Sequence, residues 1–313
     1  MSVIDNDPVE IAPRSLGRDD FKRLRYLVLD ALDSDHSRRA YDKALADFMA
    51  WHEAQGRPGL IKATVQAYKA KLQADGLAAS TINQRLAAVR ALAREAADNG
   101  LLPDALAAGI AAIGGVKAAG VRTGNWLTLE QAQALLRAPD ISTRKGLRDR
   151  AVLAVLLGGG LRRSELAALE FGHLASRDGR WVIVDLVGKG NRVRSVPIPD
   201  WTKVAIDAWA QAGRLGRTGR VFRAVNKADR VTGSSLSAQA IHGIVKEASL
   251  LAGVRATAHD LRRTYSKLAR AGGSPLEQIQ LSLGHASIQT TERYLGARQD
   301  LTDAPGDRLG LQL

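Results

Sequence analysis

The spacing of hydrophobic residues along this 313-residue chain allows few folds. Through most of the sequence, apolar side chains recur at the three- and four-residue steps of amphipathic helices. Within 181–198 the spacing becomes alternating, and Gly188-Lys189-Gly190-Asn191 separates two strand-like segments, which predicts a hairpin. We therefore expect a mainly α protein with a small antiparallel sheet built into one of its domains.

The segment 18–105 has the pattern of a compact bundle of short helices. Residues 34–55, for example, place Tyr41, Leu45 and Phe48 on one face of a helix. The rest of the chain divides around this bundle. We expect a flexible acidic tail, a linker rich in alanine and glycine, and a second domain that ends in a C-terminal tail; these cover 1–17, 106–125 and 126–313.

The charge is strongly asymmetric. The chain carries 45 Lys and Arg against 32 Asp and Glu, a formal net charge of +13. Residues 1–120 hold 16 basic and 15 acidic side chains, whereas residues 121–313 hold 29 and 17. A basic excess concentrated in one part of a chain favours a polyanionic partner, and nucleic acid fits it better than a membrane does.

Composition excludes several classes of function. The chain has no cysteine, which removes disulfide scaffolds, thiolate metal sites and cysteine nucleophiles. The longest apolar stretch, 151–157, is too short to span a bilayer, and the acidic N-terminus lacks the order of a signal peptide. We expect a cytoplasmic protein that does not bind membranes.

Four short segments carry residues suited to phosphate chemistry. Three glycines and Arg162 are expected to open a helix, where backbone N–H groups and the guanidinium converge on one anion. Glu165 lies three residues on, placed to pair with this arginine, and an ordinary surface ion pair is the alternative. Lys189 stands at the hairpin tip, from which it either reaches a cleft or stays in solvent. His259 and Arg262 are one helical turn apart, so both can face one phosphate.

The fourth segment consists of L-G-H at 283–285 and T-T-E-R-Y at 290–294. Taken singly, its histidine is usually structural and its tyrosine usually belongs to a core. The combination is more specific. G-L-R-R-S-E-L, G-K-G, H-D-L-R-R, L-G-H and T-T-E-R-Y follow one another in this order within about 130 residues, a set that resembles the tyrosine site-specific recombinases of the phage integrase family.

The resemblance covers most of 127–300, and the N-terminal bundle is similar to the family's SAM-like core-binding domain. It implies a C-shaped clamp of two domains around DNA. Because the bundle begins near Asp19, the resemblance is to the simple two-domain type, as in the Xer and Cre branches. In that comparison 18–105 corresponds to the core-binding domain and 126–313 to the catalytic domain.

The resemblance also implies a role for each motif residue. Tyr294 would attack a scissile phosphate, form a 3′-phosphotyrosyl bond and release a 5′-hydroxyl. Arg162 and Arg262 would hold the non-bridging oxygens, where negative charge builds in the transition state. The remaining implied roles are general acid for Lys189, proton transfer at the tyrosine for His259, phosphate hydrogen bonding for His285 and support of the first arginine for Glu165.

Cationic groups matter here because a tyrosine with a pKa near 10 is a poor nucleophile at neutral pH. Such groups can supply the positive charge that metal ions provide elsewhere, so no cofactor, metal or ATP is expected. Additional DNA contacts are expected from basic residues of the bundle's last long helix and from the second arginine of each arginine pair: Arg85, Arg90, Arg94, Arg163 and Arg263.

The family implies several partners. They are double-stranded DNA with inverted-repeat core sites, further copies of the chain in a tetrameric synapse that exchanges strands through a Holliday junction, and an accessory DNA-binding protein. The tail 297–313 resembles the segment that docks on a neighbouring subunit, with Leu301, Leu309, Leu311 and Leu313 as anchors. Such an enzyme would be associated with the nucleoid. Integration or excision of a mobile element, dimer resolution and inversion all fit these residues.

Two other functions fit part of the pattern. A type IB topoisomerase shares the tyrosine chemistry and acts as a monomer, but the N-terminal bundle and the G-L-R-R-S-E-L segment argue against it. A catalytically silent DNA-binding relative should have lost at least one catalytic residue, and all six are present. The choice of Arg162 over Arg163, and of Arg262 over Arg263, rests on motif register alone.

Overall fold

The computed structural model describes residues 16–117, 125–188, 192–285 and 287–295, without the side chains of His36, Arg293 and Tyr294. The chain forms two compact units, Met1–Val121 and Arg122–Leu313. Within the described part, helices dominate and the strands form small antiparallel sheets. The predicted fold class, mainly α with a small antiparallel sheet in the second unit, is confirmed. No helix in these ranges is both long enough and apolar enough to cross a membrane.

The first unit is a helical bundle built around one central helix. Its helices are α1 (Arg18–Asp30), α2 (Asp35–Ala54), α3 (Lys62–Ala74), α4 (Ala79–Asp98) and α5 (Asp104–Ala111). The helix α4 packs against each of the other four. Its apolar stripe is fully buried, and the aromatic rings of Phe48 and Tyr68 meet edge-on beside it, with centroids 5.0 Å apart.

The stretch predicted as a linker, 106–125, begins inside this bundle. Ile110 and Ile113 are buried in its core. The guanidinium of Arg90, on α4, donates to the carbonyl of Ile113 and ties the end of α5 to the bundle. The predicted linker therefore starts too early, because small residues in an alanine-rich helix can pack closely on α4 without a stripe of large side chains. Residues 118–124 lie outside the described ranges.

The second unit consists of helices around a three-stranded sheet. Its elements are α6 (Leu129–Arg137), α7 (Arg144–Gly159), α8 (Arg163–Ala167), β1 (Leu174–Arg177), β2 (Arg180–Val187), β3 (Val193–Ile198), α9 (Asp200–Ala212), β4 (Ala224–Val225), β5 (Val231–Thr232), α10 (Ala238–Leu251), α11 (Ala258–Ala271), α12 (Leu276–Leu283) and α13 (Ile288–Leu295). The helix α7 lies at the centre of the core, and every side chain from Ala151 to Leu157 is buried. A helix buried on all sides needs apolar residues all round, as this segment has.

The sheet has the order β1-β2-β3, with every pairing antiparallel. The predicted hairpin strands are observed, and β1 adds a third strand that the alternating pattern did not show. The β2–β3 register shifts between Ile183 and Leu186, where Asp185 adopts a left-handed conformation with φ of 54°. Because of this bulge, Ile183 and Leu186 both pack in the core although they are three residues apart, which breaks the simple alternation.

The three glycines before Arg162 end a helix rather than open one. Gly158 and Gly159 are the last residues of α7, and Gly160 ends it in the left-handed conformation with φ of 59°. A Cβ on Gly158 would lie 2.1 Å from Oγ1 of Thr202 on α9, so glycine lets the two helices approach closely. The glycines therefore belong to the end of α7, and the predicted helix start is made by Arg162, which is the N-cap of the short helix α8.

Candidate active site

Arg162 stands directly before α8 and is paired with Glu165. Its Nη1 donates to Oε1 of Glu165 at 2.7 Å, and its backbone N–H donates to Oε2 at 2.7 Å. The predicted pairing of these two residues is present, and it is partly buried rather than a surface pair: the side chain of Glu165 is 3% exposed. This carboxylate fixes both the start of α8 and the direction of the guanidinium.

Arg262 lies in α11 and is 2% exposed. Its Nη1 donates to the carbonyl of Gly160 at 2.5 Å, and its Nη2 donates to the carbonyl of Leu283. The left-handed turn at Gly160 aims that carbonyl at the arginine. One guanidinium thus joins the end of α7 to the end of α12. The last carbonyls of a helix have no partner within the helix, so a cation placed there stabilises them.

A third arginine, Arg194 on β3, belongs to the same cluster and was missed in the sequence. Its Nη1 and Nη2 donate to the two carboxylate oxygens of Glu165 at 2.9 and 2.8 Å, and its Nε donates to the carbonyl of Ser282 at 2.8 Å. Burial would raise the pKa of Glu165, but the hydrogen bonds from Arg194 and Arg162 outweigh it and lower that pKa to about 2. The carboxylate is therefore ionised throughout the neutral range.

His285 follows the turn that ends α12. Its Nδ1 lies 3.0 Å from Oγ1 of Thr291, a fully buried side chain of α13. Burial first, and then the charges of Arg262, Arg162 and Arg194, lower the pKa of His285 to about 4. The imidazole is therefore neutral at pH 7, a form that can donate one hydrogen bond and accept another.

His259 occupies the first turn of α11, whose N-terminus is capped by Thr257 and Asp260. Partial desolvation, followed by the charges of Arg263 and Arg262, lowers its pKa. Its charge in turn acts on His285. The two histidines that the motifs predicted are thus within electrostatic reach of the same arginines.

The hairpin reaches this cluster at Gly188, the last described residue of its first arm. A Cβ on Gly188 would lie 3.4 Å from Nη1 of Arg162 and 3.2 Å from Nη1 of Arg194. Lys189 itself lies outside the described residues. Tyr294 lies on α13, one turn after Thr291, and its side chain is also outside the description.

The predicted DNA-contacting arginines differ in their surroundings. On α4, Arg85 pairs with Asp47 at 2.8 Å and the guanidinium of Arg90 donates to the carbonyl of Ile113, so both side chains hold the bundle together. Arg94 is exposed on the same helix. In the second unit Arg163 is exposed and Arg263 is half-buried. In each pair the arginine chosen by motif register, Arg162 or Arg262, is the more buried of the two, and its catalytic role stays a prediction.

The cluster has the chemistry of an oxyanion site. Arg162 and Arg262 supply cationic N–H donors from two elements, and the charges of both arginines lower the pKa values of His259 and His285. Guanidiniums suit bidentate contacts to phosphate oxygens, and their charge stabilises a pentavalent transition state. In the described ranges no three His, Asp or Glu side chains are grouped as metal ligands.

Two family models match the chain. The model described as "Phage integrase family" matches residues 125–300, and "Phage integrase, N-terminal SAM-like domain" matches residues 22–100. The first match covers more than half of the chain and includes every residue of the cluster.

Named relatives agree with these matches. Tyrosine recombinase XerC of Myxococcus xanthus is 37% identical over 175 residues, which cover 54% of this chain and 56% of the relative, so the chain spans about half of that relative's length. A tyrosine recombinase of Synechococcus elongatus is 30% identical over 296 residues, covering 87% of this chain and 89% of the relative. XerC of Rhodospirillum centenum is 32% identical over 297 residues, covering 86% and 80%.

Solved structures share the fold. The XerH recombinase in a pre-cleavage complex with its difH substrate matches with a TM-score of 0.66 at 18% identity, covering 92% of this chain and 83% of that one. A λ integrase fragment, a dimer bound to a core site, matches with a TM-score of 0.63 at 17% identity, covering 90% and 97%.

Proposed function

Because the chain belongs to the phage integrase family of tyrosine recombinases, enzymes that cleave and rejoin DNA, we propose that it recombines DNA site-specifically through a covalent bond to Tyr294. The observation that carries this proposal is the convergence of Arg162, Arg262 and His285 at one place, together with the tie from His285 to the helix that bears the tyrosine. Each group has the chemistry that its role requires.

The reaction starts with the scissile phosphate between the two guanidiniums. Arg162 and Arg262 bind its non-bridging oxygens, and neutral His285 donates a further hydrogen bond to them. The hydroxyl oxygen of Tyr294 attacks the phosphorus while its proton passes to His259. The bond from phosphorus to the 5′-oxygen breaks, and Lys189 protonates that oxygen. The products are a 3′-phosphotyrosine and a free 5′-hydroxyl.

Rejoining is the reverse reaction with another strand's 5′-hydroxyl. The phosphotyrosyl bond retains the energy of the broken phosphodiester, so the balance needs no ATP and no metal ion. Four copies exchanging strands in pairs on two inverted-repeat sites would pass through a Holliday junction. In this proposal the two domains contact opposite sides of the duplex, an accessory DNA-binding protein assists, and the enzyme works in the cytoplasm on the nucleoid.

The tail after α13 completes the proposed assembly. Its leucines, Leu301 to Leu313, lie outside the described residues and would dock on a neighbouring copy. Deletion of 306–313 should weaken synapsis more than DNA binding. Full recombination by the truncated protein would exclude this role of the tail.

Covalent capture tests the chemistry. The protein is incubated in EDTA with sheared genomic DNA from the source cell, and protein-linked fragments are precipitated and sequenced. We expect adducts clustered at an inverted repeat with wild type and with the control Tyr265→Phe, and none with Tyr294→Phe. Adducts without sequence preference would indicate a topoisomerase, and DNA binding without adducts would indicate a silent binder.

A further inference from the structure

Arg194 occupies the junction between the two halves of the site. It is buried, with its side chain 9% exposed, and it donates hydrogen bonds to two elements that are distant in sequence. The two terminal nitrogens form a fork on the carboxylate of Glu165, and the Nε bonds to the carbonyl of Ser282. A bidentate arginine–carboxylate pair fixes both direction and distance.

Each contact of Arg194 supports a different phosphate ligand. Glu165 also accepts hydrogen bonds from the backbone N–H and Nη1 of Arg162. The position of β3, which carries Arg194, therefore determines where this carboxylate holds the guanidinium of Arg162. Ser282 precedes Leu283, whose carbonyl accepts from Arg262, and the same turn presents His285. One side chain therefore sets the separation between the Arg162 side and the His285 side.

Two glycines leave the space that this guanidinium occupies. A Cβ on Gly284 would lie 2.8 Å from Cδ of Arg194, and one on Gly188 would lie 3.2 Å from its Nη1. Gly284 also has a left-handed conformation, with φ of 62°. The hairpin arm that precedes Lys189 and the turn that precedes His285 thus both pack directly against Arg194.

We propose that Arg194 is a positioning residue for the cleavage reaction: it holds Glu165, and through it Arg162, at a fixed distance from the turn that carries His285. The proposal rests on the proposed function, since it concerns the same reaction. Arg194 acts through its protein contacts and need not touch DNA. Lysine cannot take its place, because a single ammonium cannot form a planar fork on a carboxylate while also bonding a carbonyl on the other side.

The matched control is Arg148, a second buried arginine of the same unit. It is 5% exposed and bonds Asp149 through Nε at 2.8 Å and Nη2 at 2.6 Å. It lies in α7 twelve residues before Gly160, which at the helical rise is about 18 Å away. Arg148→Lys therefore measures the stability lost when a buried arginine no longer makes two hydrogen bonds to its carboxylate, at a place distant from the site.

The experiment measures the rate of covalent adduct formation at saturating sheared genomic DNA, beside melting temperature and half-saturating DNA concentration. Both Arg194→Lys and Arg148→Lys should lower the melting temperature. Only Arg194→Lys should slow adduct formation, by about 10²-fold, since a displacement of about 1 Å has that effect, and the half-saturating DNA concentration should not change. Equal rates for the two variants would overturn the proposal.

A double-variant cycle tests the route through Glu165. If Arg194 acts through this carboxylate, Arg194→Lys combined with Glu165→Gln should be no slower than the slower single variant. Multiplied defects would mean that the two residues act separately and would overturn the proposal. Absence of adducts with wild type would overturn the proposed function itself, whereas wild-type adducts with a fast Arg194→Lys would overturn only the role of Arg194.

Discussion

Nδ1 of His285 lies 3.0 Å from Oγ1 of Thr291, and this contact joins the turn after α12 to the helix that carries Tyr294. Thr291 is fully buried and lies one helical turn before the tyrosine. In the proposed reaction, the histidine that contacts the scissile phosphate and the helix of the nucleophile are therefore held together by one hydrogen bond. Neither residue type would suggest this link by itself.

Removing the hydroxyl of Thr291 should uncouple the histidine from this helix. Thr291→Val keeps the shape but leaves Nδ1 of His285 without this partner, at a cost of about 1–3 kcal/mol in the free energy of unfolding. We expect adduct formation to slow by about 10- to 100-fold, because the ring loses its fixed orientation. Urea unfolding and the rate of covalent capture measure the two effects.

The neighbouring Thr290 provides the control. It is exposed on the same helix, so Thr290→Val makes the same chemical change without touching His285. It should leave both stability and rate close to wild type. A slow Thr290→Val, or a wild-type rate for Thr291→Val, would contradict the role of the contact.

Stability should fall in mild acid because of His285. Its pKa is about 4 in the folded protein against an ordinary value of 6.5, so the unfolded chain takes up a proton first as the pH falls. The stabilisation is complete above pH 6.5 and is lost as the pH falls from there towards 4. Melting temperatures should therefore decline over this window, and less steeply in His285→Gln.

Burial also lowers the pKa values of His52 and His259, so wild type alone does not isolate one group. The difference between the wild-type and His285→Gln profiles does. Parallel profiles from pH 6.5 to 4 would show that His285 titrates normally in the folded state.

Gly284→Ala should destabilise the protein more than the same change at another left-handed glycine. Gly253 has φ of 65° and open space around its Cβ position, so Gly253→Ala should cost only the conformational energy, about 1–2 kcal/mol. At Gly284 the added methyl also meets Cδ of Arg194. Equal losses in the free energy of unfolding, measured with urea for both variants, would mean that Arg194 does not pack closely against this turn.

Two arginines of α4 should separate DNA binding from stability. Arg94 is exposed, so Arg94→Ala should weaken binding to a duplex of random sequence and reduce the slope of log affinity against log salt by about 1. Arg85 pairs with Asp47, so Arg85→Ala should mainly lower the melting temperature. Fluorescence anisotropy over a salt series and thermal melting distinguish the two, and the reverse pattern would refute this assignment.

The sequence predicts the fold well where its signal is local. Periodicity, for example, predicts a helix within 34–55, and the observed bounds of α2, Asp35–Ala54, differ by one residue at each end. The hairpin strands follow from alternation around Gly188-Lys189-Gly190. The strand β1 was missed because it is only four residues long and half-exposed, so its side chains alternate weakly.

The site residues also divide into those that a local sequence signal predicts and those that only the folded structure reveals. The motif residues are recognisable because each belongs to a short, ordered segment of the sequence. Arg194 was not named with any of these segments, and Thr291 lies in T-T-E-R-Y without a role implied for it. The importance of both comes from contacts across 29 and 6 residues with Glu165 and His285. The glycines before Arg162 were misread as a helix start because glycine marks either end of a helix, and here the buried α7 ends at them.

The most direct test identifies the residue that bonds to DNA. Adducts captured in EDTA are digested with nuclease and trypsin, and the peptide that retains a nucleotide is sequenced by mass spectrometry. The chain has five tyrosines, and cleavage after Arg293 and Arg298 isolates Tyr294 in the peptide Tyr-Leu-Gly-Ala-Arg. We predict a nucleotide 3′-phosphate on this peptide. A nucleotide on any other peptide, such as the one containing Tyr265, would contradict the assignment of the nucleophile.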